Sequence, residues 1–438
     1  MVQTLLSTAR TVALMDDYSG PFDPAFHLGR LSRRALAVLC REYMLAGHLQ
    51  DRAGMPQVSA RCGSKAMREV AIEEWMGASP IYTRRMQRAL GFCGDDVATI
   101  FKGMQLDVGA PHQFMDFRFK VTDGLHGEFW LPYCGALMDV EPMGDKHVIG
   151  MCHQIEDPTF DATAVATNPR ARMRPIHRPP RQPADRVPHC HWQVSIDPDA
   201  PPLTEIAATA LVRQSRLAQV QIVANVGREP GGWEDYSGAF DPDFQFEDLA
   251  HPALTVAAQE LCLQSHLLVR SFMTAIARRW GDDAAREIAA AQWVGIAALT
   301  AERLRAAMRI EGDEPAAIAK LLQLHPSFLP RAYVDFHVTV EGDSVCCWLG
   351  DCDGLNEGDT FSWFALLDRQ PHRALEAMVR VINPRAQLTA CALPGARLAW
   401  RVRIDACAEP AAEPPEVAIT KISKGAGFTF TPRRPVRV

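Results

Sequence analysis

Two hydrophobic periods follow one another along this chain, and the pair then repeats. From Ala35 to Arg52, residues Ala35, Val38, Glu42, Leu45, Leu49 and Arg52 recur at steps of three and four. That spacing places them on one stripe of a helix, interrupted by Glu42 and flanked by His48. Further helices are expected through Gly103. After about Pro111 the period shortens, and MDFRFKV, HGEFWLPYC, KHVIGMCH, ARMRPIHR and HCHWQVSI read as strands. One helix is expected between the third and fourth of these. Asp157 can cap it, Pro158 suits its first turn, and Asn168-Pro169 ends it.

The same succession returns at an offset of 218: DDYSGPFDPAF from Asp16 reappears as EDYSGAFDPDF from Glu234. Leu31, Leu36, Glu42, His48 and Arg52 fall on Leu249, Leu254, Glu260, His266 and Arg270, and Trp75 on Trp293. NPRA at Asn168 recurs at Asn383, and HWQVSID from His191 recurs as AWRVRID from Ala399. The second copy repeats the helix before NPRA, from Pro371, with Leu375, Met378, Val379 and Ile382 as its buried face. An α+β chain of two tandem copies with pseudo-twofold pairing follows, each copy a helical layer and then a small antiparallel sheet with one crossing helix. The first copy is assigned to residues 1–200 (helical 16–110, sheet part 111–200) and the second to 201–408. The linker lies in DPDAPPLTE, Asp197 to Glu205. Residues 409–438 form a C-terminal tail, whose EPAAEPPE reads as a linker or surface loop.

Composition narrows the function classes. A net charge of −6 argues against a nucleic-acid or anionic-membrane binder, and the short basic tail Arg433 to Arg437 is too small to change that. No run of 18 apolar residues is present, so no membrane span is expected. The opening MVQTLLSTARTVALMDDYSG lacks a positive n-region and a sustained apolar stretch, so a cytoplasmic protein with its twelve cysteines reduced is expected. Two-copy pairing is also compatible with a homodimer.

The candidate chemistry concentrates between Glu128 and Trp192. Three cysteines (Cys134, Cys152, Cys190) and five histidines (His147, His153, His177, His189, His191) fall there. On the second copy, Cys134 meets Cys352, Cys152-His153 meets Leu367-Asp368, and Cys190-His191 meets Leu398-Ala399. His177 meets only Cys391, one place out of step. One working copy and one degenerate, supporting copy are therefore expected. Strand alternation turns Cys190, Trp192, Val194 and Ile196 inward, and likewise Met173, Pro175 and His177. Cys134, His177 and Cys190 then become candidate ligands for a metal, zinc by ligand type, with inert buried cysteine as the structural alternative. Cys152 is read as ending a strand before a helix N-terminus, with arginines nearby. Both features favour a reactive thiolate, making it a candidate nucleophile.

Arg170, Arg172, Arg174, Arg178 and Arg181 form a second constellation. They are either an ion-paired surface or, through Arg172 and Arg174, a clamp for a substrate carboxylate. Trp192, Glu42 and His48 are further substrate-side candidates, although Glu42 and His48 also suit a hydrogen-bonded polar pair at an interface.

A cysteine after a strand, then a helix, then a hairpin ending in Cys-x-aromatic resembles the 4-vinyl reductase domain and the L-2-amino-thiazoline-4-carboxylic acid hydrolase family. The resemblance covers roughly Asp116 to Asp197 and, more loosely, Asp335 to Asp405. It implies a zinc region at Cys134, His177 and Cys190, with His177 where an acid would be expected, beside a pocket for a small molecule. Asp139 to Met151 is an added segment. Together these readings lead to the expectation of a metal-dependent hydrolase or lyase acting on a small carboxylate-bearing substrate, with His153 or Glu156 moving protons. Two alternatives stand beside it: a non-catalytic small-molecule binding or sensing protein with structural zinc, and a cysteine enzyme using Cys152.

Overall fold

The computed structural model describes residues 13–224 and 229–431. The first twelve residues and the basic tail Arg433 to Arg437 lie outside the described residues. The long helix α1 (Arg33–Ala89) starts at Ser32, whose side chain accepts a hydrogen bond from the Ala35 amide. It doubles back at Gly63, where φ is 85° and ψ 163°. In the second copy the same break falls at Gly281 (φ 84°), between α8 (His251–Trp280) and α9 (Asp282–Ala307). A positive φ of this kind costs glycine little and other residues more. The two glycines are 218 apart, so each copy has the same helical hairpin.

Between these hairpins lie α2 (Val97–Met104), strands β1 (Arg118–Val121) and β2 (His126–Leu131), and α3 (Gly135–Val140). Then come α4 (Asp145–Ile149), a π turn at Gly150–Ile155, α5 (Glu156–Val165), β3 (Ala171–His177) and β4 (Cys190–Ile196). Short helices α6 (Ala207–Arg213) and α7 (Arg216–Gln219) lead to the second copy. After α9 come α10 (Pro315–Leu324), β5 (Phe336–Glu341), β6 (Ser344–Leu349), α11 (Arg373–Ile382), β7 (Ala386–Ala390), β8 (Leu398–Ile404) and α12 (Pro415–Thr420). The two sheets are antiparallel with matching order, β1-β2-β4-β3 and β5-β6-β8-β7. The α+β arrangement in two repeats is therefore as the periodicity predicts, and α11 buries Leu375, Met378, Val379 and Ile382 as expected. Among the described residues no helix is long and apolar enough to cross a membrane.

One predicted strand is a helix. KHVIGMCH runs through α4 and the π turn and continues into α5. Its buried members Val148 and Cys152 are four apart, a helical spacing that the β-branched Val148 and Ile149 disguise. Packing on α1 decides the outcome. Asp157 consequently caps nothing and pairs with Arg178 instead. The tail also departs from expectation. Helix α12 packs on α9 and α1, and the chain beyond it crosses to the first copy. There Ser423 Oγ and the Lys424 amide donate to Asp139, both at 2.7 Å.

The repeated motif works as a clasp between copies. Tyr18 OH donates to Gln323 Oε1 at 2.7 Å, and its counterpart Tyr236 donates to Gln105 Oε1 at 2.8 Å. The Tyr18 amide donates to Met308 O at 2.8 Å and the Tyr236 amide to Leu90 O at 2.7 Å. Two buried ion pairs complete the exchange. Arg303 holds Glu42 through Nε and Nη2 at 2.7 and 3.0 Å, and Arg85 holds Glu260 at 2.9 and 2.8 Å. In every case one partner belongs to each copy. One hydrophobic core runs through both.

Removing either acid would leave a guanidinium buried without its counter-charge. Glu42→Ala and Glu260→Ala should each destabilise the protein by about 3–5 kcal/mol. Urea unfolding at neutral pH measures this. A cost for Glu260→Ala alone would show that Glu42 does not hold the copies together.

Candidate functional site

The helical excursion from Gly135 to Val165 belongs to the first copy. At that place the second copy has only 3-10 turns, at Asp353–Leu355 and Trp363–Leu366. It brings four protonatable groups into one recess. Cys134 ends the β2 arm and caps α3, its sulfur accepting from the Leu137 amide at 3.3 Å. Cys152 is carried by the π turn, Glu156 opens α5, and Cys190 opens β4 on the inward face with Trp192. π turns within helices recur at functional sites because the extra residue displaces a side chain from the regular face.

The electrostatics follow from this grouping. Glu156 is hemmed in by protein while keeping some solvent contact. Its burial outweighs the nearby Arg178 cation, raising its pKa from the usual 4.5 to about 8. Burial, with the charge of Glu156 behind it, pushes the Cys134 thiol up to about 12. Cys152 and Cys190 are raised well above the ordinary thiol value by the same two causes, and each is raised further by Cys134. At neutral pH the recess is therefore a neutral acid among neutral thiols. Cys152 lacks the thiolate character of a nucleophile, contrary to the reading from its flanking arginines. The reason is that the helix carries Cys152 inward, and Arg178 is spent on Asp157.

The other sequence-selected residues are dispersed. A β-bulge between Pro175 and His177 shifts the register, so that Pro175 still faces Trp192 while His177 lies opposite His191. His177 is thus on the outer face of the sheet, away from Cys190, and the trio Cys134, His177 and Cys190 does not fit a shared metal. Among the described residues no three His, Cys, Asp or Glu side chains are gathered to hold a metal ion. The bulge also explains the odd alignment of Cys391, since Ile176 is the additional residue in the first copy.

Arg172 donates to the carbonyls of Pro169, Ala171 and Pro201, and Arg174 donates to Asp161 at 3.0 Å near the surface. Neither lines the recess. His153 Nε2 meets the Pro179 carbonyl at 2.7 Å, tethering the π turn to the loop after β3. Trp192 is a core residue, stacked on Phe129 and edge-on to Phe160. Glu42 is committed to Arg303. His48 is buried beside Phe114 with neither ring nitrogen hydrogen-bonded, and burial lowers its pKa well below the ordinary value. Its counterpart His266 bonds the Leu329 carbonyl at 3.0 Å.

A second acidic group escaped the sequence reading. Asp51 and Glu74 face each other inside the first hairpin, where burial raises both, Glu74 strongly so. Trp75 Nε1 donates to Asp51 at 2.9 Å, and nearby Tyr82 OH donates to Asp107 at 2.9 Å. The second copy has Val269, Gln292 and His325 at the positions of the three acids. Comparing the copies position by position for lost acids, as was done for cysteines, would have found them.

Comparison with protein-family models, with curated proteins and with solved structures returns no match.

Alkylation tests the state of the thiols. Iodoacetamide at pH 7.5 should modify the exposed Cys93 and Cys407 first and leave Cys134, Cys152 and Cys190 intact until the protein unfolds. Peptide mass mapping over time reads the order. Early modification of Cys152 would restore it as a nucleophile.

Proposed function

We propose that the first copy is the working half of an enzyme, of hydrolase or lyase type, acting on a small carboxylate-bearing molecule, with Glu156 as its proton-transfer group. The observation that carries this reading is a partly accessible carboxyl with a pKa near 8, in a recess built by the first copy alone. A carboxylic acid that is still protonated at neutral pH can donate to a leaving group and then act as the base. Perturbed carboxyls of this kind concentrate at active sites. Arg178, which acts on Glu156, and Arg52, which acts on Cys134, are the cations closest to the recess in effect. A substrate carboxylate would compete for them with Asp157 and Asp139. A reducing cytoplasm suits the twelve free cysteines.

A second reading is a small-molecule-binding or sensing protein with a structural metal. The donor chemistry favours it, because three thiols and a carboxyl in one recess are the ligand types zinc takes, and four protein ligands would leave no open position. Metal analysis of protein purified without chelator separates the two. Stoichiometric zinc that is lost in Cys134→Ser and Cys190→Ser supports the second reading.

For the first reading, carboxyl-carbon NMR should show one glutamate titrating near pH 8 that vanishes in Glu156→Gln. The variant should also lose turnover on a panel of small carboxylate-bearing amides and cyclic imines. Its stability should move the other way. Glu156 is raised in the folded state, so its contribution is fully present below the unfolded pKa and is lost as pH rises through about 8. Gln cannot ionise. Glu156→Gln should therefore match the parent near pH 4 and melt several degrees higher at pH 8. A variant that keeps full turnover would overturn the enzymatic role.

A further inference from the structure

The outer face of the first sheet, opposite the recess, carries a second constellation. We propose that His177, His191 and Glu128 form a binding site there for a borderline divalent cation of the zinc class. This site is independent of the reading of Glu156.

The bulge at Ile176 is what creates it. Without the bulge, strand alternation would send His177 into the core with Pro175. With it, His177 sits directly across from His191, their ring centres 6.1 Å apart. Zn–N bonds are about 2.0–2.1 Å, so two imidazoles on one ion have ring centres roughly 5–6 Å apart. On the adjoining strand, Glu128 Oε2 lies 2.9 Å from His191 Nε2. The His191 and Glu128 side chains are 25% and 38% exposed, which leaves an ion a route in from solvent. Burial, Arg186 and His191 all lower the His177 pKa, so the ring is available as a neutral ligand.

The hydrogen bond between His191 and Glu128 holds the place an ion would take, so these three groups are not a metal cage as they stand. Binding inserts the ion between Nε2 and the carboxylate. For a neutral His191 carrying its proton on Nε2, that proton moves to Nδ1 through solvent, and the ring binds without net proton loss. Two histidines and one carboxylate leave a fourth position for water.

The second copy supports the assignment. Glu128 corresponds to Cys346, and, with the bulge residue removed, His177 corresponds to Cys391, whose amide bonds Ala399 O at 3.0 Å. Each of those two outer-face positions therefore carries a ligand-type side chain in both copies. The third, His191, becomes Ala399, so the constellation is complete only in the first.

Zinc titration of the full-length protein by calorimetry tests the proposal, alongside His177→Ala, His191→Ala and the control Cys134→Ser/Cys190→Ser. A site on the outer face predicts at least tenfold weaker zinc binding in each histidine variant and an unchanged site in the cysteine control. Cobalt(II) should show no thiolate charge-transfer band from this site. These positions are partly exposed, so melting curves of the histidine variants should overlay the parent and separate lost ligation from lost folding. Absence of zinc binding, or binding that survives both histidine changes, would overturn it.

Discussion

Two exchanged ion pairs, Glu42 with Arg303 and Glu260 with Arg85, set the terms for the rest of this molecule. Charges buried this deeply are tolerated only when partner and geometry are both supplied, and here each copy supplies what the other lacks. The tyrosine arms add the same reciprocity through Gln323 and Gln105. The arrangement is that of an isologous twofold interface made within one chain. Joining the two halves covalently keeps the partner at high effective concentration, which favours the pairing without any added contact.

Once the copies are locked together, one of them can depart from the regular pattern. The first does so in two places. It inserts the α3-to-α5 excursion with its π turn, and it buries Asp51, Glu74 and Asp107 where its twin has Val269, Gln292 and His325. Both departures hold carboxyls in forms that water would not favour, and both cost stability. The second copy keeps apolar or amide side chains at several of these points and acts as the support. Such a division is the usual relation between a destabilised site and the scaffold that offsets it.

Much of the architecture was legible in the residues. The offset of 218, the switch of period near Pro111, the four strands that formed and the buried face of α11 all followed from local patterning. The restriction of clustered cysteines to one copy also pointed to the right region. Cys134 and Cys190 do share a recess with Cys152 and Glu156. What failed were inferences that needed a neighbour. KHVIGMCH looks like a strand because its β-branched residues fit one, and only packing on α1 selects the helix that takes Cys152 inward. His177 looked inward because alternation was assumed unbroken.

Sequence by itself determined the duplication, the order of elements and which residue types are available, since these depend on spacing and on short-range preference. Tertiary structure alone decided which of those residues meet. A single additional residue at Ile176 carries His177 from one face of a sheet to the other, and no local signal marks the bulge. The partner of Glu42 lies 261 positions away in the other copy. Its role as half of an ion pair, instead of part of a site, comes from how the two helical hairpins cross.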